Sequence, residues 1–480
     1  MMKEYKKNNR RSFLQNISGT MLGSLLVPHR SLFANTEIIR SLGQRKPFFL
    51  YIHFGSACGL SSGLVQPNDV GNWQKGVFYA DSAKQNSPSN NPLMNDHIKP
   101  TGSDLILHQY NKWLSPIATD CTLYNGQSIS LDHNVARPLR LTGSPKLNIS
   151  PEWGMALSQN ASIANGMVPF VITQAAKAAS TPNITNLQAS NLTEFKELST
   201  EHPSVPFLAK EFSDVYVQRF MKKQLNGVQI NKADQESLAS QLDTLRQGVL
   251  PETPGPVREL EAILSDREFN NNLRRSNSDW RDIRPNPAFK ENLLLAASLA
   301  LTGVGTSLTI GNGGHDDHAG GSDVVTARST ASKWIYISEF WKWVKKQGLD
   351  QDVVIVVSHE FGRTPYNRTE AEFPVILDPN SNTRTNINSP GRDHSPHMGM
   401  LVINSHPNRS FKGQRFGYIS DNFVPRRGNS SEGEKGGEGY LSVDLIGSTL
   451  MAVFPELFPT ERIVRKHWNA FIEIPELSGT

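Results

Sequence analysis

Apolar and polar positions alternate in blocks along this chain, and the blocks have two different periods. Residues 47–54 (Pro-Phe-Phe-Leu-Tyr-Ile-His-Phe) form a continuous apolar run that ends in the small residues 55–59. A run of that length closed by turn residues predicts a buried strand. A helix is predicted over 108–117 and a short strand over 121–124. From 205 to 249 the apolar positions Phe207, Phe212, Val215, Phe220 and Met221 recur at helical spacing. The last third is the clearest. A Leu/Ala-rich helix is predicted over 289–301, a strand over 306–311, and a helix over 324–347 with Trp334, Ile337, Phe340 and Trp343 along one face. The wholly apolar strand 353–357, a strand at 399–403 and a helix over 441–454 follow. A strand without polar alternation is the mark of a parallel sheet covered on both faces. Helix and strand in alternation imply right-handed crossovers. The expected fold is α/β, with a doubly wound, mostly parallel sheet in a single domain over 35–480 and a mainly helical insertion over 180–288. No internal repeat is evident.

Chemistry-bearing residues gather where these strands end. Gly313-Gly314-His315-Asp316-Asp317-His318 follows the strand at 306–311. Ser358-His359-Glu360-Phe361-Gly362-Arg363-Thr364-Pro365 follows the most apolar strand, and Gly391-Arg392-Asp393-His394-Ser395-Pro396-His397 precedes the strand at 399–403. Loops at strand ends are where open α/β sheets build sites. Imidazole and carboxylate on a glycine-hinged loop can converge on one cation of the zinc, manganese or iron kind. A Glu and an Arg at the end of a buried strand are costly unless paired or used. Arg363 suits bidentate capture of an anion, and an internal Glu360–Arg363 pair is the structural alternative. A fourth polar segment, 125–133, follows the strand at 121–124. It offers Ser128 or Ser130 as a hydroxyl and His133 as a ligand or base, although Asn-Gly-Gln-Ser there is mostly turn chemistry. His53, His97, His108, His202, His406 and His467 read as packing or surface residues.

Composition adds limits. The formal net charge is +4 over 480 residues, and Lys3, Lys6, Lys7, Arg10 and Arg11 against Glu4 account for it. The remainder is close to neutral, which gives no electrostatic case for nucleic-acid binding. Asn9-Arg10-Arg11-Ser12-Phe13-Leu14-Gln15 is a twin-arginine pattern. An apolar stretch at 17–27 and Ser31-Leu32-Phe33-Ala34 follow it. That is the order of an export signal over 1–34, handled by the twin-arginine machinery and cleaved near Ala34. The expected location is periplasmic or extracellular, with no membrane span in the mature chain. Cys58 and Cys121, the two cysteines, are open to a disulfide or to two separate buried thiols.

The signal, the strand and loop at 50–59, the three motifs, Arg415-Phe416-Gly417-Tyr418 and the helix from Val443 together resemble the family known as domain of unknown function 1501. The likeness runs over most of the mature chain and is weakest over 60–110 and 180–280. That family is similar to the alkaline phosphatase and sulfatase superfamily, whose members hold one or two divalent metals at strand ends. The resemblance implies an alkaline-phosphatase-like sheet and a metal-dependent hydrolase of phosphate or sulfate esters. By that likeness Asp316 and His318 stand in one metal-ligand loop, Glu360 lies where the superfamily has an Asp-His pair and His394 resembles its last histidine. With His315 and Asp393, read from the motifs themselves, they make the expected metal set, for zinc, manganese or calcium. Glu360, Arg363 and His133, read from their own segments, are the expected catalytic residues. The substrate side would be a small anionic ester or a glycan. The chain also departs from the superfamily pattern. Residues 55–62 contain no Asp or Glu, Phe361 follows Glu360, and His315 stands where the family has Trp. The alternative expectation is therefore an exported, non-catalytic binder of a glycan, an anion or a protein partner on the same scaffold.

Overall fold

The computed structural model describes residues 46–54, 64, most of 98–143, 151–165, 170–173, 185–187, most of 254–311, 323–363 except 361, most of 394–427 and most of 439–478. The strands, in chain order, are β1 (Phe48–His53), β2 (Cys121–Ser128), β3 (Phe170–Thr173), β4 (Thr185–Leu187), β5 (Ser307–Gly311), β6 (Val353–Ser358), β7 (Gly362–Arg363), β8 (His394–Ser395), β9 (His397–Ile403), β10 (Arg415–Phe416), β11 (Tyr418–Ile419) and β12 (Pro425–Arg426). The main helices are α1 (His133–Thr142), α2 (Trp153–Asn165), α3 (Gly255–Ser265), α4 (Pro287–Thr302), α5 (Asp323–Lys346) and α6 (Ser442–Val453).

Eight strands form one sheet in the order β10-β2-β9-β6-β1-β5-β3-β4. β1 runs parallel to β5 and β6, β5 parallel to β3, and β3 parallel to β4. β9 runs antiparallel to both β6 and β2, so the sheet is mixed rather than parallel throughout. Any fully buried strand reads as an apolar run whichever way it points, so direction is not encoded in its residues.

Side-chain alternation sends each central strand into two cores. On one face Phe48, Leu50, Ile52, Val353, Ile355, Val357, Leu401 and Ile403 pack with Leu260 of α3, Leu293 of α4 and Trp334, Phe340 and Trp341 of α5. On the other, Phe49, Tyr51, Val354, Val356, Met400 and Val402 pack with Trp153 and Leu157 of α2 and with Leu445, Ile446 and Leu450 of α6. Helices thus cover both faces, as the uniformly apolar strands require. Each large apolar side chain buried this way contributes about 1.5–3 kcal/mol.

Local chemistry sets the helix ends. Asn286 caps α4 by accepting from the Phe289 N–H at 3.1 Å, and Gly303, in the left-handed region at φ 72°, closes it. The expected α-helix at 108–117 is instead a 3-10 helix, Lys112–Asp120, with Pro116 inside it. Proline lacks the N–H that an α-helical turn needs there. The expected turn at 125–128 is extended backbone. β2 continues to Ser128, with a register shift between Tyr124 and Gln127 where Gly126 lies, as an extra residue in a bulged strand does. Within 180–288, the described β4 joins the sheet and α3 joins its core, while 188–253 lies outside the described residues.

Candidate functional site

Strand register brings the motif-bearing segments to one edge. His53 of β1 pairs with Gly311 of β5 on one side and with Ser358 of β6 on the other. Ser128 of β2 pairs with His397 of β9. Because β9 is antiparallel, its first residue lies where its neighbours have their last. The last residues of β1, β2, β5 and β6 and the first of β9 therefore lie at the same edge, the carboxyl end of the parallel strands. This is the edge at which α/β sheets place ligands.

Two contacts join the segments there. His133 Nδ1 lies 3.0 Å from Glu360 Oε1. Glu360 is fully buried, whereas the His133 side chain keeps 45 % of its exposure. Nδ1 is itself among the buried atoms, so the exposed part is the remainder of the ring. The contact is within ion-pair distance but off the angle of a hydrogen bond, and the neutral tautomer it favours is the one protonated at Nδ1, because a carboxylate repels a lone pair placed there. The local sequence builds this arrangement. Asp132 caps α1 by accepting from the Asn134 N–H at 2.8 Å, which makes His133 the first helical residue. Gly143, left-handed at φ 65°, closes the same helix. The second contact is between backbones. β7 and β8 pair antiparallel, with Arg363 opposite His394 and Gly362 opposite Ser395. The 358–365 motif thus meets both the 125–133 segment and the 391–397 motif. Among the described side chains, His133 is a partner of Glu360.

Of the sequence-predicted site residues, the structure brings together His133 and Glu360, and it sets the backbones of Arg363 and His394 side by side. His315, Asp316, His318 and Asp393 lie outside the described residues. Among the described residues no three His, Cys, Asp or Glu side chains converge as a cation site would require. Cys121 is a free, buried thiol donating to the Ile117 carbonyl at 3.3 Å. Burial pushes that thiol well above its usual range.

Sequence reasoning missed a polar cluster just beneath this edge. Tyr51, Arg140, Glu152, Thr309 and Ser358 are all buried on the α1/α2 side of the sheet. The Tyr51 hydroxyl and Ser358 Oγ are 2.5 Å apart, and the Arg140 guanidinium carbon lies 6.0 Å from the centre of the Tyr51 ring. Thr309 donates to Glu152 Oε2 at 3.3 Å. Burial raises Glu152 to about 7, against the opposing pull of Thr309 and of the Arg140 charge. Burial likewise raises Tyr51, with Arg140 acting the other way. The signal available in the sequence was the pair Asp132 and Gly143, a cap at each end of a helix carrying both His133 and Arg140.

The model of a family described as protein of unknown function (DUF1501) matches residues 206–403, a span that contains all three motifs. No curated protein matches the chain. Among solved structures, a sulfatase from Pseudoalteromonas sp. is 10 % identical, with a TM-score of 0.32 over 81 % of this chain and 68 % of that one. A phosphonate monoester hydrolase from Silicibacter pomeroyi is 11 % identical, with a TM-score of 0.28 over 85 % and 73 %. The alkaline phosphatase from the Antarctic bacterium TAB5 is 10 % identical, with a TM-score of 0.27 over 77 % and 95 %. At this identity and these scores, the chemistry has to be read from the residues of this chain.

Proposed function

We propose that the chain is an exported hydrolase of phosphate or sulfate esters, acting at the carboxyl edge of its sheet. The observation that supports this best is the His133–Glu360 contact. A buried carboxylate costs several kcal/mol unless it is paired, and here its partner is a half-exposed imidazole. Such a carboxylate orients the ring and stabilises the imidazolium. Nε2 is then left to take a proton from water and to return it to the leaving oxygen. Arg363 would hold the anionic ester by paired hydrogen bonds.

His315, Asp316, His318, Asp393 and His394, with Glu360, are the side chains that would hold a divalent cation (zinc, manganese or calcium). Such a cation, when bound, polarises an ester oxygen. Export rests on the twin-arginine segment and the apolar stretch after it, which point to a periplasmic or extracellular protein.

The test is turnover of an aryl phosphate and an aryl sulfate by the mature protein, with and without chelator. The parent should hydrolyse at least one of them, and His133→Gln should lower kcat about 100-fold or more, the usual worth of a general base. Folded, exported protein that turns over neither ester would overturn the proposal. One observation favours a second reading, a non-catalytic binder of a glycan or anion: residues 55–62 carry no acidic side chain. Stoichiometric binding of such a ligand, indifferent to chelator and without turnover, would identify that case.

A further inference from the structure

The buried cluster at Tyr51, Ser358, Arg140 and Glu152 has a spatial relation to His133 and Glu360 that its burial alone does not explain. We propose that this cluster positions the His133–Glu360 pair, with the Tyr51 hydroxyl as the link between the two elements that carry it. The proposal rests on the reading of His133–Glu360 as the working pair.

Both members of the pair have an anchor in the cluster. His133 and Arg140 are seven residues apart on α1, which puts them on the same face of the helix. Ser358 is two residues before Glu360. Ser358 is held twice: its carbonyl accepts from the Phe54 N–H at 2.9 Å, and its hydroxyl meets Tyr51 at 2.5 Å. Arg140 reaches the same tyrosine from the helix side. Its carbonyl also accepts from Trp153 Nε1 at 3.0 Å, which fixes the end of α1 to the start of α2.

Glu152 supplies the cluster with a carboxyl group whose Oε2 accepts from Thr309 and whose Oε1 has no hydrogen-bond partner among the described residues. The charged and titratable groups facing it are Arg140 from α1 and Tyr51 from β1. Burying an arginine, a glutamate and a tyrosine together is costly compared with an apolar filling of the same volume. In this proposal the cost is offset by the geometry that the cluster specifies. The geometry specified here is the depth and rotation of α1 against the end of β6, and those two settings decide whether His133 meets Glu360.

The experiment reads the ring directly and needs no substrate. Full-length mature protein is labelled with 15N-histidine, and the His133 ring signals are assigned by their loss in His133→Gln. In the parent, the two ring nitrogens should show the wide separation of a single neutral tautomer protonated at Nδ1. In Tyr51→Phe, which removes only the linking hydroxyl, the two signals should move toward each other as both tautomers become populated. Arg140→Lys keeps the charge and should retain most of the separation, whereas Arg140→Met should lose it. A Tyr51→Phe ring identical to that of the parent would overturn the positioning role while leaving the His133–Glu360 reading intact. A parent ring that already averages both tautomers would sink the pair itself, and with it the proposed function.

Discussion

An ionised carboxylate is expensive where Glu152 sits, and the expense can be measured. Its folded value is about 7 against an ordinary 4.5, so between those values the native state holds a proton that the unfolded chain has released. Stability must then fall as pH rises through that window. The contribution is fully present below about pH 4.5 and is lost above about pH 7, a swing of about 3 kcal/mol for two and a half pH units. Glu152→Gln removes the titrating group and keeps its shape. Urea midpoints should show the variant no more stable than the parent near pH 4.5 but more stable at pH 8. A difference that is the same at both values would contradict the account. Asp444, which burial also raises, to about 6, titrates in parent and variant alike and cancels from the comparison. Cys121 makes a second prediction at this scale. Its thiolate is disfavoured by burial, and the thiolate is the reactive form. A folded Cys58→Ser variant should stay unlabelled by iodoacetamide at pH 8, while the denatured protein takes up one label per chain. Labelling of the folded form would show the thiol to be accessible.

At the scale of elements, α2 packs on β5 without the spacing a side chain would need. A Cβ on Gly154 would collide with the Cβ and Oγ of Ser307, so Gly154→Ala should cost about 1–3 kcal/mol, the usual penalty of overpacking. Chemical denaturation reads this as a lower midpoint at unchanged slope, and an unchanged midpoint would mean the helix can retreat from the strand. The elements legible in the sequence were those with unbroken apolar runs or strong helical spacing: β1, β5, β6 and β9, and α4, α5 and α6. Those that escaped notice have physical reasons for it. Helix α1 carries Pro138 in its interior, contrary to a helical reading. Helix α2 begins Trp-Gly-Met-Ala-Leu and is buried too evenly at Ala156, Leu157 and Ser158 to show a polar face. β2 was cut short at Tyr124 because Asn125 and Gly126 look like a turn, although β9 supplies partners as far as Ser128.

For the whole molecule, the meeting of the 358–363 segment with the start of the 394–403 strand at one sheet edge was legible, because both adjoin strands that the apolar pattern reveals. The inner partner of Glu360 was not legible as such. Glu360 and His133 are separated by more than two hundred residues, and only the neighbouring positions of β2, β9 and β6 bring them together. The cluster beneath them was invisible for the same reason, since Tyr51, Arg140, Glu152 and Ser358 belong to different elements whose polar residues look unremarkable singly. The central claim is that His133 and Glu360 work as one unit, and a double-mutant cycle on ester hydrolysis tests it. His133→Gln and Glu360→Gln should each lower kcat/KM about 100-fold or more, and the double variant should be scarcely worse than either, because groups acting as a unit lose their effect together. Losses that multiply in the double variant would contradict the account by showing two residues that act independently.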